Sequence, residues 1–188
     1  MSFSTVILAG GKSSRMGCDK AFLETGGQTL LARQIQLALE TGAPEILISG
    51  RAGADYSIFG SHVLLDKFPD AGPLAGIERA LDAAISPLLL VLAVDLPKMN
   101  ADFLQRLRTS CIENIGVIPR MNGHIEPLAA FYPKAAQMLA EALLRNGHNA
   151  VATFAGHCAR SGLAQFVDLA ASDACYFVNL NTPADLPP

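Results

Sequence analysis

The 188-residue sequence has no excess of positive charge. Its 14 lysines and arginines stand against 17 aspartates and glutamates, for a net charge of −3. The basic footprint of a nucleic-acid-binding protein is missing, and nothing draws the chain to an anionic membrane. A long apolar run is also lacking. Stretches such as Pro87–Val94 fall far short of the ~20 residues that a spanning helix needs. The four cysteines, Cys18, Cys111, Cys158 and Cys175, form no C-x-x-C and no regular framework. Neither a metal cluster nor a disulfide set is expected, and reduced thiols in a cytoplasmic protein are the simplest reading. No internal repeat, low-complexity tract or linker interrupts the chain. "MSFSTVILAG" lacks a basic n-region and runs straight into glycines, so it reads as a first strand and not as a signal peptide.

What is present is apolar and patterned. Apolar residues make up 51% of the chain and charged ones only 16%, enough for a substantial core in one domain spanning 1–188. Short apolar runs alternate with amphipathic segments, the pattern of an α/β protein. "STVILAG", "PEILISG", "HVLLD" and "PLLLVLAVD" read as strands, the last as the central one. "QTLLARQIQLALETG", "GPLAGIERALDAAI" and "ADFLQRLRTSCIEN" read as helices, the first stopped by Gly42 and the second starting near Pro73. Asn122-Gly123 between two apolar runs predicts a hairpin. "PKAAQMLAEALLRNG" predicts a helix with Pro133 at its first position. Two short strands, near "AQFVDL" and "CYFVNL", and a helix opening at "NTPADL" complete the tail. The expected fold is a mostly parallel sheet with helices on both faces and an antiparallel excursion after the central strand. In such sheets ligands bind beyond the carboxyl ends of the strands.

The first of those ends carries the strongest chemical signal. Gly10 and Gly11 follow strand one, and Lys12, Arg15 and Lys20 bring three cations within ten positions. Glycines let a ligand approach backbone N–H groups. Arginine forks and lysine point charges hold phosphate oxygens. Neither common phosphate loop is present. Val6 stands where a Walker A needs glycine before Lys12, and adjacent Gly10-Gly11 break the Gly-x-Gly-x-x-Gly fingerprint. By composition alone a solvated turn explains the loop as well as a phosphate site does. Its place at a strand end favours phosphate.

"LAGGKSSRMGCDKAFL" resembles the signature loop of the nucleotidyltransferases that make molybdenum cofactor dinucleotides, the molybdopterin-guanine dinucleotide biosynthesis protein A family. The pattern L-A-G-G-x-x-x-R-M-G-x-x-K is matched at Leu8, Ala9, Gly10, Gly11, Arg15, Met16, Gly17 and Lys20. Sugar-nucleotide pyrophosphorylases share its beginning but continue differently. The resemblance extends to the end of the chain and implies a three-layer Rossmann-like nucleotidyltransferase fold.

Other motifs gain meaning beside it. Asp95 in "VDLP" would by itself be read as capping the turn before Pro97. The resemblance implies that it binds Mg²⁺ beside the triphosphate. "LLDKFPDAGPLAGIERAL" is an ordinary helix entry by its residues. The resemblance places Asp66, Gly72, Pro73 and Leu74 near the base and ribose, with Asp70 a second acidic position. Thr182, Pro183 and Asp185 are accounted for as a helix cap. Asn179 and Asn181 are not, and the resemblance puts them on the pterin side. Two departures stand out. Gly50 precedes Arg51 where the family often has Asn at a nucleotide-contacting position, and Glu126 stands where Gln or His is common. His124 reads as a surface residue of the hairpin, and Lys12 is the loop cation without a role.

The implied reaction transfers GMP from GTP to the terminal phosphate of molybdopterin and releases pyrophosphate. Lys20, Arg15 and Asp95 would be the catalytic set, and the backbone of Leu8–Gly11 would read the base. The acceptor is a phosphate monoester, already anionic near neutral pH, which agrees with the lack of any Ser-His-Asp or Cys-His constellation. The resemblance further implies transient contact with cofactor-delivering proteins, and a monomer is expected. The alternatives are a CTP-using enzyme acting on the same pterin, a sugar-1-phosphate nucleotidyltransferase, and a non-catalytic nucleotide-binding module. Intact Lys20 and Asp95 speak against the last.

Overall fold

The computed structural model describes residues 1–10 and 19–180. β1 (Phe3–Leu8) leads past the first loop to a short 3-10 turn, Lys20–Phe22, and a small hairpin of β2 (Glu24–Thr25) and β3 (Gln28–Thr29). Then come α1 (Leu30–Thr41), β4 (Glu45–Ser49), β5 (His62–Leu64), α2 (Pro73–Ala83), β6 (Leu88–Ala93) and α3 (Ala101–Thr109). β7 (Gly116–Met121), β8 (His124–Ile125), β9 (Ala129–Pro133), α4 (Gln137–Arg145), α5 (Val151–Arg160) and β10 (Ala164–Asp168) follow. The main sheet runs β10-β7-β9-β6-β1-β4-β5, with β8 paired to β7. Along that path only β9 runs against its neighbours.

The layers follow from side-chain periodicity. β6 is buried at every position, as a central parallel strand covered on both faces must be. Alternate β6 residues serve opposite layers. Leu89 and Val91 pack with Leu74, Ile77 and Leu81 of α2 and with α4 and α5. Leu88, Leu90 and Leu92 pack with Leu37 of α1 and with Phe103 and Leu107 of α3. This is the expected mostly parallel α/β arrangement with an antiparallel excursion. The hairpin turn lies at Asn122-Gly123, both with positive φ, and pairs Met121 with His124.

Four elements differ from the sequence expectation. The helix expected from Gln28 starts at Leu30, because Thr29 caps it by accepting the Ala32 N–H and Gln28–Thr29 pair back on β2 across Gly26-Gly27. Pro133 ends β9 and does not open a helix. Its φ and ψ are extended, and Lys134–Ala136 form a 3-10 turn before α4. "CYFVNL" is not a strand. Ala171–Phe177 coil into a 3-10 turn in which adjacent Tyr176 and Phe177 both meet the Phe103 ring, whereas a strand would send them to opposite sides. A further helix, α5, buries Val151, Phe154, Ala155 and Cys158 at helical spacing. The terminal helix expected at "NTPADL" lies outside the described residues.

Cys111, Cys158 and Cys175 are free thiols. Burial pushes Cys111 up to about 11 and Cys158 up to about 12, so both stay neutral packing groups. No helix among the described residues is long and apolar enough to cross a membrane.

Among the described glycines Gly116 has the least room, since an added Cβ would stand 2.1 Å from the Phe131 carbonyl oxygen of the neighbouring strand. The obstacle is backbone and cannot rotate away. Gly116→Ala should cost roughly 2–3 kcal/mol of stability, read as a lower urea midpoint with the slope unchanged.

Candidate active site

The carboxyl ends of β1, β4, β5 and β6 lie side by side at one edge of the sheet, where a mostly parallel fold collects its functional residues. Asp95 follows β6, and Lys20 opens the 3-10 turn that closes the first loop. Lys20 Nζ lies 3.0 Å from Asp95 Oδ2 and donates to the Leu180 carbonyl at 2.7 Å. Leu180 returns its own N–H to the Asp95 carbonyl at 3.0 Å. Three remote segments are therefore joined at one point. Both side chains remain partly open, at 20% and 24% exposure, so incoming groups can reach them.

The loop's far end is braced by Asp19, which stands beside Lys20 in the signature loop, and by Arg51 and Tyr56, for which the sequence reading had no role. Asp19 is buried and caps the Lys20–Phe22 turn by accepting the Ala21 N–H. Its other oxygen lies 3.0 Å from Arg51 Nε, and the Tyr56 hydroxyl donates to the same atom at 3.5 Å. Tyr56 stacks on Phe22 and also accepts the Arg51 N–H. Burial pushes the Tyr56 phenol up, so it stays a neutral donor. The same ring explains Gly50. A Cβ there would come within 2.5 Å of the Tyr56 ring, so a side chain at this position requires the ring to shift. The adjacency of Asp19 to Lys20 and of Arg51 to Gly50 was the available signal for these residues.

The expected nucleotide residues gather on the β1–β4–β5 side. Leu8 and Ala9 are largely committed to the sheet. The Leu8 carbonyl accepts the Val94 N–H, and the Ala9 N–H donates to Ser49. The Ala9 carbonyl and Gly10 N–H have no backbone partner among the described residues. A Cβ added at Gly10 would only just reach ordinary contact with the Gly50 backbone, at 3.4 Å. Gly72 has φ +74° directly before Pro73, the first residue of α2. The Leu74 side chain is fully buried, so only its backbone faces the cleft side of the helix start. Gly11 and Arg15 lie outside the described residues, as do Lys12 and Asn181.

Asn179 is exposed and separates two cavities. One, of about 510 Å³, is lined by the β2–β3 hairpin, Arg33, Pro97 and Lys98. The other, of about 140 Å³, is lined by Ala93, Leu96, Glu126, Val151 and Phe177. Glu126 is thus carried to the site edge by the β8–β9 connection, while His124 is exposed on the hairpin.

Asp66 follows β5, half-buried, with its carboxylate accepting a long 3.5 Å bond from the Ser49 hydroxyl. Burial pushes its pKa up, the Ser49 bond opposes this, and Glu78 adds to it. A folded pKa above the unfolded one means that the native state holds this proton more tightly. Its ionisation therefore costs stability, and the cost appears as pH rises from about 4 through the raised value. Asp66→Asn should melt at or above the wild-type temperature at pH 7, with the difference vanishing below about pH 4 in calorimetric scans.

Residues 5–160 match the MobA-like NTP transferase domain family. A protein of Opitutus terrae named "probable molybdenum cofactor guanylyltransferase" is 38% identical over 95% of this chain and 90% of its own length. The molybdenum cofactor guanylyltransferase of Vibrio parahaemolyticus is 34% identical over 97% and 92%. Among solved structures, a nucleotidyl transferase from Methanothermobacter thermautotroptrophicus superposes with a TM-score of 0.78 at 19% identity, covering 98% of this chain and 94% of its own. The 2-C-methyl-D-erythritol 4-phosphate cytidylyltransferase of Thermus thermophilus reaches 0.73 at 22%, covering 98% and 95%. The sheet order, the glycine-rich first loop and the agreement along nearly the whole length lead to one conclusion: the chain belongs to the MobA-like NTP transferase domain family.

Proposed function

We propose that this chain, as one domain, transfers GMP from GTP to the terminal phosphate of molybdopterin and releases pyrophosphate. The observation that carries the reading is Lys20 against Asp95 at the carboxyl end of β6, flanked by strand ends on both sides. The named guanylyltransferase relatives support the choice of nucleotide and acceptor. The likeness to a cytidylyltransferase at 22% identity shows that the fold alone does not set the base.

In the reaction an acceptor phosphate oxygen attacks the α-phosphorus of GTP. A new P–O–P bond forms, the bond from the α-phosphorus to the bridging oxygen breaks, and pyrophosphate leaves with that electron pair. No proton has to be removed from an ionised phosphate monoester, so the protein's task is placement and charge neutralisation. Lys20 neutralises the triphosphate, and Arg15 joins it from the first loop. The backbone N–H and C=O groups of Leu8–Gly11 read the base edge. Asp66 and the Gly72–Leu74 backbone border the ribose, with Gly50 flooring the space beside them. Asn179 and Asn181 take the pterin side.

The donor set suits Mg²⁺. Asp95 offers a hard carboxylate oxygen that remains partly exposed, and no group of three or more ligating side chains occurs among the described residues. Mg²⁺ takes one or two carboxylates and leaves its other positions to phosphates and waters. Held by Asp95, it would neutralise charge on the triphosphate and the departing pyrophosphate. The chain is expected to act as a cytoplasmic monomer that receives its pterin by transient contact with a delivering protein.

Pyrophosphate release, followed with GTP against CTP and with or without molybdopterin, tests the reading. Release should require molybdopterin and Mg²⁺ and favour GTP. Lys20→Ala and Asp95→Ala should each lower kcat by about 10²–10³-fold with an unchanged circular-dichroism spectrum. Full Mg²⁺-dependent turnover by Asp95→Ala would overturn the metal assignment.

A further inference from the structure

The β8–β9 connection carries one acidic side chain into an apolar cavity. Glu126 lines the space of about 140 Å³ with Leu96, Pro127, Val151, Phe177 and Asn179. Its backbone is fixed from several directions. The Glu126 N–H donates to the Pro119 carbonyl at 2.8 Å, the Tyr132 hydroxyl donates to the Pro127 carbonyl at 3.0 Å, and the Ala93 N–H donates to the Leu128 carbonyl at 2.8 Å. Its carboxylate, by contrast, has no hydrogen-bond or ion-pair partner among the described residues. Burial pushes its pKa up, and the charge of His124 only partly opposes this. The carboxylate is half-buried on the cavity wall and makes no bond of its own among the described residues, so its oxygens are open to a donor from a ligand.

The sheet order says which ligand. The nucleotide-side residues follow β1, β4 and β5, whereas the Glu126 cavity lies beyond β6 and β9, with Asp95 between the two. Asn179, one residue from the Leu180 that is bonded to Asp95, lines the same cavity. The space is smaller than the ~300–1,000 Å³ that encloses a whole drug-sized ligand, so it suits one ring edge. A 2-amino-4-oxo pyrimidine edge presents an N–H and an NH₂ side by side, which a carboxylate can accept as a pair. Guanine and pterin share that edge, and the placement away from the nucleotide side selects the pterin. We propose that Glu126 is the residue that reads the 2-amino-4-oxo edge of the acceptor's pterin ring, fixing the acceptor's identity. The inference rests on the reading of the acceptor as a molybdopterin.

The test uses the full chain with saturating GTP and Mg²⁺, so that the guanine site is filled. Free pterin and lumazine, which replaces the 2-amino group with an oxo group, are titrated by fluorescence. The wild type should bind pterin about tenfold more tightly than lumazine. Glu126→Gln, checked for an unchanged melting temperature, should bring that ratio near unity. It should also raise the KM for molybdopterin about tenfold and leave the KM for GTP unchanged. Glu126→Asp, which keeps the charge, should recover part of the ratio. Absence of pterin binding, an unchanged ratio in Glu126→Gln, or a raised GTP KM in that variant overturns the proposal, the last by assigning the carboxylate to guanine. If the wild type discriminates pterin through Glu126 yet makes no dinucleotide from molybdopterin, the pterin site stands and the proposed reaction falls.

Discussion

An ammonium held between a carboxylate and a carbonyl organises this molecule. Lys20 meets Asp95 across 75 positions of sequence and Leu180 across 160. An ion pair this exposed adds little to stability on its own. Its importance is positional. It brings the end of the first loop, the end of the central strand and the C-terminal segment to one point, with opposite charges adjacent and reachable. On the proposed reading, a metal-bound triphosphate would offer the same two signs of charge and could take over both partners. In the free protein the two charges are held together and still reachable.

The surroundings protect that arrangement. Asp19, one residue before Lys20, is anchored to Arg51 and Tyr56 beyond β4. The loop's return is therefore fixed to the strand next to the one that launched it. Tyr56 is bonded through its hydroxyl and packed through its ring, stacking on Phe22 and covering Gly50. A larger residue at position 50 would have to displace the Tyr56 ring, which gives the departure at Gly50 a packing cause.

Much of this was legible in the sequence. Strand runs such as Leu88–Ala93 are apolar at every position and can only be central. Asn122-Gly123 specifies its turn by backbone conformation alone. The Gly10 and Lys20 loop, Asp95 and the Gly72-Pro73 helix entry were identifiable by motif. What could not be read depended on contacts between remote residues. Tyr176 and Phe177 look like strand residues until Phe103 draws both to one side. Pro133 looks like a helix opener until β9 claims it. The brace on Asp19 depends on Arg51 and Tyr56, remote in sequence, and only the adjacency of Asp19 to Lys20 and of Arg51 to Gly50 pointed to it. α5 is the exception, since Val151, Phe154, Ala155 and Cys158 carry its spacing openly.

The reversal of β9 has a consequence for how the cleft receives its side chains. Because β9 runs against β6, it begins where its neighbours end, so the Glu126–Leu128 connection enters the cleft at the start of a strand. One side of the cleft is built from strand exits and the other from a strand entrance, on separate stretches of chain. A substitution in the β8–β9 connection therefore alters one wall of the cleft and leaves the strand exits of β1, β4 and β5 as they are.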